Sequence, residues 1–168
     1  MAKSTPLRAM PVTLSPRERF QQYLQSQGMR STEQRRILVD HIFAHHQHFD
    51  ADQLIAQLPA RGAPGYVSRP TVYRTLAEFV DAGLLRKFEL DGRAVYEHDY
   101  GYPQHDHLYC NGCHRLLEFK SEELAALANR VAQEQHFHVS GHRFLIHGLC
   151  QECASARTHS TQARSRRP

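Results

Sequence analysis

At 168 residues the chain has room for one mid-sized domain or two small ones. About 40% of it is hydrophobic, enough for packed cores. No run approaches the ~20 apolar residues of a membrane span, and none near Met1 has signal-peptide character, so a soluble cytoplasmic protein is expected. The net charge of +4 conceals a division: residues 1–93 hold 13 Lys/Arg against 9 Asp/Glu, residues 94–153 hold 4 against 8, and residues 154–168 hold 4 against none. A basic first half suits phosphate backbones, and an acidic second half suits cations. Ordinary solvated surface charge is the competing reading, and charge alone does not separate the two.

Residues 1–14 show no periodicity and are expected to be a disordered N-terminus. Ser15-Pro16-Arg17-Glu18 is a capping box with proline at the first helical position, and it opens a helix to about Ser26, ended by Gly28. Ser31 and Gln34 read as a second box, ahead of Ile37, Leu38, Ile42 and Phe43 at helical spacing. Asp50 and Gln53 start a third helix that buries Leu54, Ile55 and Leu58. Pro59 to Gly65 is a breaker-rich loop. Ser68-Arg69-Pro70 begins a fourth helix with a Val72, Leu76, Phe79, Val80 stripe and Gly83 as its cap. At 100° per residue, Thr71, Arg74 and Glu78 point away from the stripe and Tyr73 sits at its border. Leu84–Leu90 and Arg93–Glu97 flank Asp91-Gly92, a hairpin turn signal.

Short helices followed by a two-stranded hairpin are the winged-helix plan, which assigns 15–97 to a DNA-binding domain with the fourth helix as its reader. Tyr100-Gly101-Tyr102-Pro103 closes a hinge over 98–103. Beyond it, His107–Cys110 and Leu116–Phe119 read as strands around Asn111-Gly112. Ser121 caps a helix to about Gln135, with Leu124, Leu127, Ala128 and Val131 on one face, and His138–Leu149 reads as a strand. Residues 104–153 thus form a small α/β domain, and the polar, basic residues 154–168 are expected to be a disordered tail. The fold class is α+β.

Cys110-Asn111-Gly112-Cys113 and Cys150-Gln151-Glu152-Cys153 carry the strongest chemical signal. Each C-x-x-C turn points two thiolates at one place, and two such turns supply the tetrahedral four-sulfur set that zinc prefers. In a cytosolic protein, paired cysteines indicate metal before disulfide. The 36 residues between the pairs fit a strand, a helix and a strand, so one zinc per subunit would tie the domain's ends together. Structural zinc contributes roughly 10–16 kcal/mol in small peptides. Such a closed site leaves no open coordination position, which argues against zinc catalysis.

Histidine is the compositional outlier: eight of the 13 lie between Glu97 and Cys150. In His105-Asp106-His107, residues two apart on a strand share a face, so both imidazoles can reach one ion. Glu118, Glu97 and His48 are further candidates. Mixed nitrogen and oxygen donors suit iron(II), manganese, nickel, cobalt or zinc. Ligands drawn from both domains would make the ion a switch that favours one domain arrangement.

At this point the sequence resembles the Fur (ferric uptake regulator) family. The stretches that carry the resemblance are Met29 to Leu38, Asp50-Ala51-Asp52-Gln53-Leu54, Arg69-Pro70-Thr71-Val72-Tyr73-Arg74-Thr75-Leu76, Asp81-Ala82-Gly83-Leu84, and His105-Asp106-His107-Leu108-Tyr109-Cys110-Asn111-Gly112-Cys113. Together they cover about residues 15–153. The resemblance implies a homodimer with an N-terminal winged helix and a C-terminal dimerisation domain, repressing genes at palindromic, A/T-rich operators. It implies a base-contacting Tyr73, with Arg69, Thr71 and Arg74 beside it, and a regulatory site of His48, Glu97, His105, His107 and Glu118. Asp99 is a rival for the place of Glu97. A further family site would use Asp106 and His142, but Gln104 and Ala125 stand where a histidine and a glutamate are usual. Glu122 is a possible substitute, and the site is expected to be weak or absent.

Zinc sensors of the family often place a cysteine in the regulatory site, and here all four cysteines are committed. Peroxide sensors resemble one another in using aspartates where this chain has Glu97 and Glu118. The two glutamates favour regulatory Fe(2+), with Mn(2+), Zn(2+) or nickel, or peroxide sensing, as alternatives. A thiol oxidoreductase or a metal-dependent enzyme is the different-class alternative. No Ser-His-Asp order or His-Glu-x-x-His motif supports it, so no enzyme, small-molecule substrate or membrane partner is expected.

Overall fold

The computed structural model describes residues 9–44 and 46–164, with side chains as far as Arg157. Residues 1–8 of the expected N-terminal segment and 165–168 of the expected tail lie outside the described residues. Ala9–Tyr102 form one compact unit, and the chain from Pro103 onward forms a second.

In the first unit, α1 (Pro16–Ser26) starts at the capping box, where Ser15 and Glu18 bond reciprocally, and Gly28 follows it at φ +66°. Helix α2 (Glu33–Phe43) is capped by Thr32, whose hydroxyl accepts from the Arg35 N–H. The cap therefore falls one residue after the expected Ser31. Strand β1 (His48–Asp50) has no sequence signal of its own, since three residues are too few to show alternation. Asp50 ends it and caps α3 (Ala51–Gln57) through the expected box with Gln53. Helix α4 (Arg69–Asp81) follows Ser68, whose hydroxyl meets Thr71 Oγ1 at 2.8 Å rather than capping a backbone N–H. The hairpin β2 (Leu85–Leu90) and β3 (Arg93–His98) turns at Asp91 and Gly92, both at positive φ. That is the geometry the Asp-Gly pair predicts. The antiparallel sheet runs β1-β3-β2.

The core of this unit gathers Phe20, Leu24, Leu38, Ile42, Leu54, Val72, Leu76, Phe79 and Leu84. Full burial of such side chains contributes about 1.5–3 kcal/mol each. Phe20 and Phe43 both meet the Phe79 ring edge-on. Glu78 departs from the expectation of an outward residue: only 7% exposed, it receives the Arg35 guanidinium through two nitrogens, at 2.9 and 2.5 Å. Arg35 also donates to the Arg30 carbonyl. The reading helix is thereby fixed to α2 by a bidentate ion pair as well as by packing.

The second unit is built as strand, strand, helix, strand. Strands β4 (Asp106–Cys110) and β5 (Leu116–Phe119) are antiparallel, α5 (Glu122–Glu134) is capped by Ser121, and β6 (Leu145–Gly148) returns parallel to β4. The order is β5-β4-β6. The last strand is shorter than the expected His138–Leu149; residues 138–144 hold no regular structure. The expected disordered tail is also corrected: α6 (Gln151–Arg164) continues the chain from the second cysteine pair. Alanines at 154, 156 and 163, with no proline or glycine before Pro168, permit a helix that apolar periodicity does not announce.

This unit has a thin core of its own. Leu108, Leu127, Val131, Phe137, Val139 and Ile146 stay exposed. Leu127 and Val131 belong to the face of α5 that the sequence marks as apolar. Apolar exposure on this scale marks a surface covered by another protein chain.

Candidate functional site

The four cysteines converge. Cys110 ends β4, Cys113 closes the turn after it, and Cys150 and Cys153 bracket the start of α6. All four sulfurs lie within 4.8 Å of one another, and Cys113 Sγ stands 3.8 Å from Cys150 Sγ. A disulfide needs about 2.05 Å. Zn–S bonds of about 2.3 Å in a tetrahedron place sulfurs about 3.8 Å apart, so the spacing is that of a zinc site. The backbone N–H groups of Cys150 and Gly112 point at Cys110 Sγ, at 3.2 and 3.4 Å. Those bonds, that of Cys150 foremost, hold the Cys110 thiol down to about 6. Cys153 is pushed up to about 12 by hydrogen bonds from its thiol to the sulfurs of Cys150 and Cys110. The Cys110 thiolate forms readily while Cys153 resists ionising, a conflict that a divalent cation at the centre would remove. Gly112 makes the convergence possible: a Cβ there would lie 2.9 Å from both Cβ and Sγ of Cys153.

The histidines and carboxylates form a second set of donors. In the first unit the β1–β3 register sets His48 opposite Glu97, with His48 Nε2 3.3 Å from Glu97 Oε1. Glu97 is buried. Asp99, the rival donor, holds the Arg86 guanidinium in an ion pair. In the second unit the β4–β5 register sets His107 opposite Glu118. His105 lies just before β4, its ring centroid 5.1 Å from that of His107. Its Nδ1 stands 2.8 Å from the Pro103 carbonyl, to which it donates, leaving Nε2 as the lone-pair nitrogen. Asp106 accepts from the Phe144 N–H at 2.8 Å, and its other oxygen lies 3.6 Å from His142 Nε2. Gln104 donates to the His142 carbonyl at 2.6 Å. Gln104 and Asp106 thus both fasten the strand to the segment before β6.

On α4 the predicted DNA-contacting residues lie over the first two turns. Tyr73 is 46% exposed, further out than the stripe border where helical projection puts it, and Arg74 is exposed. Thr71 is half-buried against Ser68. Arg69 and Tyr73 both reach Asp52 in the first turn of α3, at 2.7 and 3.4 Å. Sequence reasoning missed Asp52 and the Arg35–Glu78 pair; each joins segments far apart in the chain, and nothing local signals such a pairing.

A helix that presents a tyrosine and arginines beside a hairpin wing, in a chain stapled by four thiolates and holding histidine–carboxylate pairs, defines a metal-responsive transcription regulator. Comparison with known proteins gives the same class. The model of the Ferric uptake regulator family matches residues 26–147, and the chain belongs to that family. The ferric uptake regulation protein of Neisseria meningitidis is 31% identical over 132 residues, covering 77% of this chain and 90% of that protein. The Bordetella parapertussis protein of the same name is 31% identical over 140 residues, covering 82% and 98%. Among solved structures, the Vibrio cholerae ferric uptake regulator superposes with a TM-score of 0.62 at 28% identity, covering 77% of this chain and 98% of that one. A zinc-bound manganese uptake regulator superposes with a TM-score of 0.56 at 32% identity, covering 78% and 98%.

Proposed function

We propose that this chain is an iron-responsive repressor whose homodimer binds palindromic operator DNA when Fe(II) occupies a site made by His48, Glu97, His105, His107 and Glu118. The observation that carries this reading is the division of donors. All four cysteines are consumed by one closed tetrahedral cluster, so a second ion finds only imidazoles and carboxylates. That donor set suits iron(II) and manganese(II) better than a thiophilic metal. The glutamates at 97 and 118, where the family's peroxide sensors resemble one another in using aspartates, favour iron over peroxide sensing.

The chain's own residues do the following. Cys110, Cys113, Cys150 and Cys153 hold a structural zinc that ties the end of β4 to the start of α6. His48 and Glu97 are set side by side by one sheet, and His107 and Glu118 by the other, so each pair is ordered before an ion binds. A bound metal supplies only charge and directed bonds. The arrangement of the chain in which His48, Glu97, His105, His107 and Glu118 can share one ion would thereby be favoured over the rest. On α4, Tyr73 addresses bases while Arg69, Thr71 and Arg74 hold sugar and phosphate in register. The exposed apolar surface of the second unit is covered by a second copy of the chain.

Membership of the family supports a cytoplasmic regulator rather than an enzyme. Among the described residues no helix is long and apolar enough to cross a membrane. A four-sulfur zinc site would have no position open to substrate. Metal counting tests the proposal. Protein carrying one zinc per chain should take up one further Mn(II), as an Fe(II) surrogate, and lose that second ion in His107→Ala while retaining zinc. Equal second-metal uptake by the variant would remove His107 from the site.

A further inference from the structure

Asp52 holds two groups of the DNA-reading helix at once. One of its carboxylate oxygens accepts from Arg69 Nη2 at 2.7 Å and from the Tyr73 hydroxyl at 3.4 Å. All three residues are open to solvent, with Asp52 and Arg69 side chains 71% and 60% exposed. An ion pair this exposed adds little to stability. Its effect lies in what else the guanidinium and the phenol would otherwise hold. Both are donors on the surface that faces DNA, and the acceptor offered everywhere along DNA is a phosphate oxygen.

We propose that Asp52 is a specificity-determining residue that occupies, in the DNA-free protein, the acceptor position a backbone phosphate would take at Arg69 while it orients the base-reading Tyr73. This rests on the reading of α4 as the DNA-contacting helix. Any duplex that approaches must displace the carboxylate from Arg69 and bring its own anions beside it. A random duplex offers only phosphates in return. On an operator Tyr73 addresses a base with the carboxylate still behind its hydroxyl, a contact that a random duplex does not use, so the carboxylate penalises the wrong sequences more than the right one. Asp52 also steadies the Tyr73 ring from a separate helix, so the base-reading side chain is oriented before DNA arrives.

The test uses full-length dimer loaded with zinc and Mn(II). Fluorescence anisotropy compares an A/T-rich palindrome with a scrambled duplex of equal length over a series of salt concentrations, for wild type, Asp52→Asn and Asp52→Ala. Asp52→Asn keeps an acceptor and removes the charge. It should tighten scrambled-duplex binding roughly threefold to tenfold and change palindrome binding less than twofold, with a salt slope on scrambled DNA steeper by about one. Asp52→Ala also loses the acceptor and should bind the palindrome more weakly than Asp52→Asn does. A shift of both duplexes by the same factor, or of neither, in Asp52→Asn overturns the proposal. If wild type ignores metal on both duplexes, the regulator reading fails instead; if wild type selects the palindrome and Asp52→Asn selects it equally well, this inference alone fails.

Discussion

Gly112 and Cys153 approach so closely that a single methyl group does not fit between them: a Cβ at 112 would stand 2.9 Å from Cβ and Sγ of Cys153. The neighbour is a ligand fixed in the first turn of α6, not the end of a flexible chain. Gly112→Ala therefore pushes one sulfur off the tetrahedron. Overpacking of this kind costs about 1–3 kcal/mol. Competition with a chromophoric chelator should show zinc affinity reduced by roughly tenfold to a hundredfold. Unchanged affinity would mean that the turn relaxes freely.

The thiols predict the protons that zinc displaces. With Cys110 held down to about 6 and Cys153 pushed up to about 12, zinc added at pH 7.5 takes a proton from Cys153 and finds Cys110 already ionised. Below pH 6 Cys110 is protonated too, so proton release rises by about one per zinc on going from pH 7.5 to pH 5. Calorimetry in buffers of different ionisation enthalpy measures that number directly. A constant proton count across this range contradicts the assignment.

The Arg35–Glu78 pair predicts a stability pattern. Arg35→Ala leaves a carboxylate nearly buried without its fork of donors and should cost about 3 kcal/mol in denaturant unfolding. Replacing both partners, Arg35→Met with Glu78→Leu, should recover most of that loss, because no charge is then stranded. Additive losses in the double variant would show that the pair itself contributes little.

Much of this was legible in the sequence, for local reasons. Capping boxes at Ser15 and Asp50, the Asp91-Gly92 turn and the spacing of Val72, Leu76 and Phe79 are rules about residues within a few positions of one another, and the structure follows them. The convergence of the cysteines followed from spacing and metal chemistry. What was not legible depends on distant partners. Glu78 reads as solvent-facing by helical angle, yet Arg35, 43 residues earlier, draws it in. Strand β1 exists because β3 offers an edge, not because His48–Asp50 prefers extension. Helix α6 carries no apolar stripe, and polar composition alone reads as a tail.

On α4, base reading and phosphate holding predict different signatures. Arg74→Ala should weaken operator and random duplex alike and lower the salt slope by about one. Tyr73→Ala should cost about 1–3 kcal/mol on the operator and much less on random DNA. Anisotropy titrations on both duplexes separate the two. A uniform loss from Tyr73→Ala would make it a backbone contact.

The central claim is that a second ion in the histidine–carboxylate site licenses DNA binding while zinc keeps the fold. Its most direct test follows operator binding by zinc-loaded dimer as Fe(II) is added anaerobically, with Mn(II) in parallel and Glu97→Ala as control. Wild type should go from binding at the non-specific level to sequence-selective binding as one ion per chain is taken up, and Glu97→Ala should stay non-specific with its zinc retained. Sequence-selective binding of equal strength with and without the second metal would contradict the account.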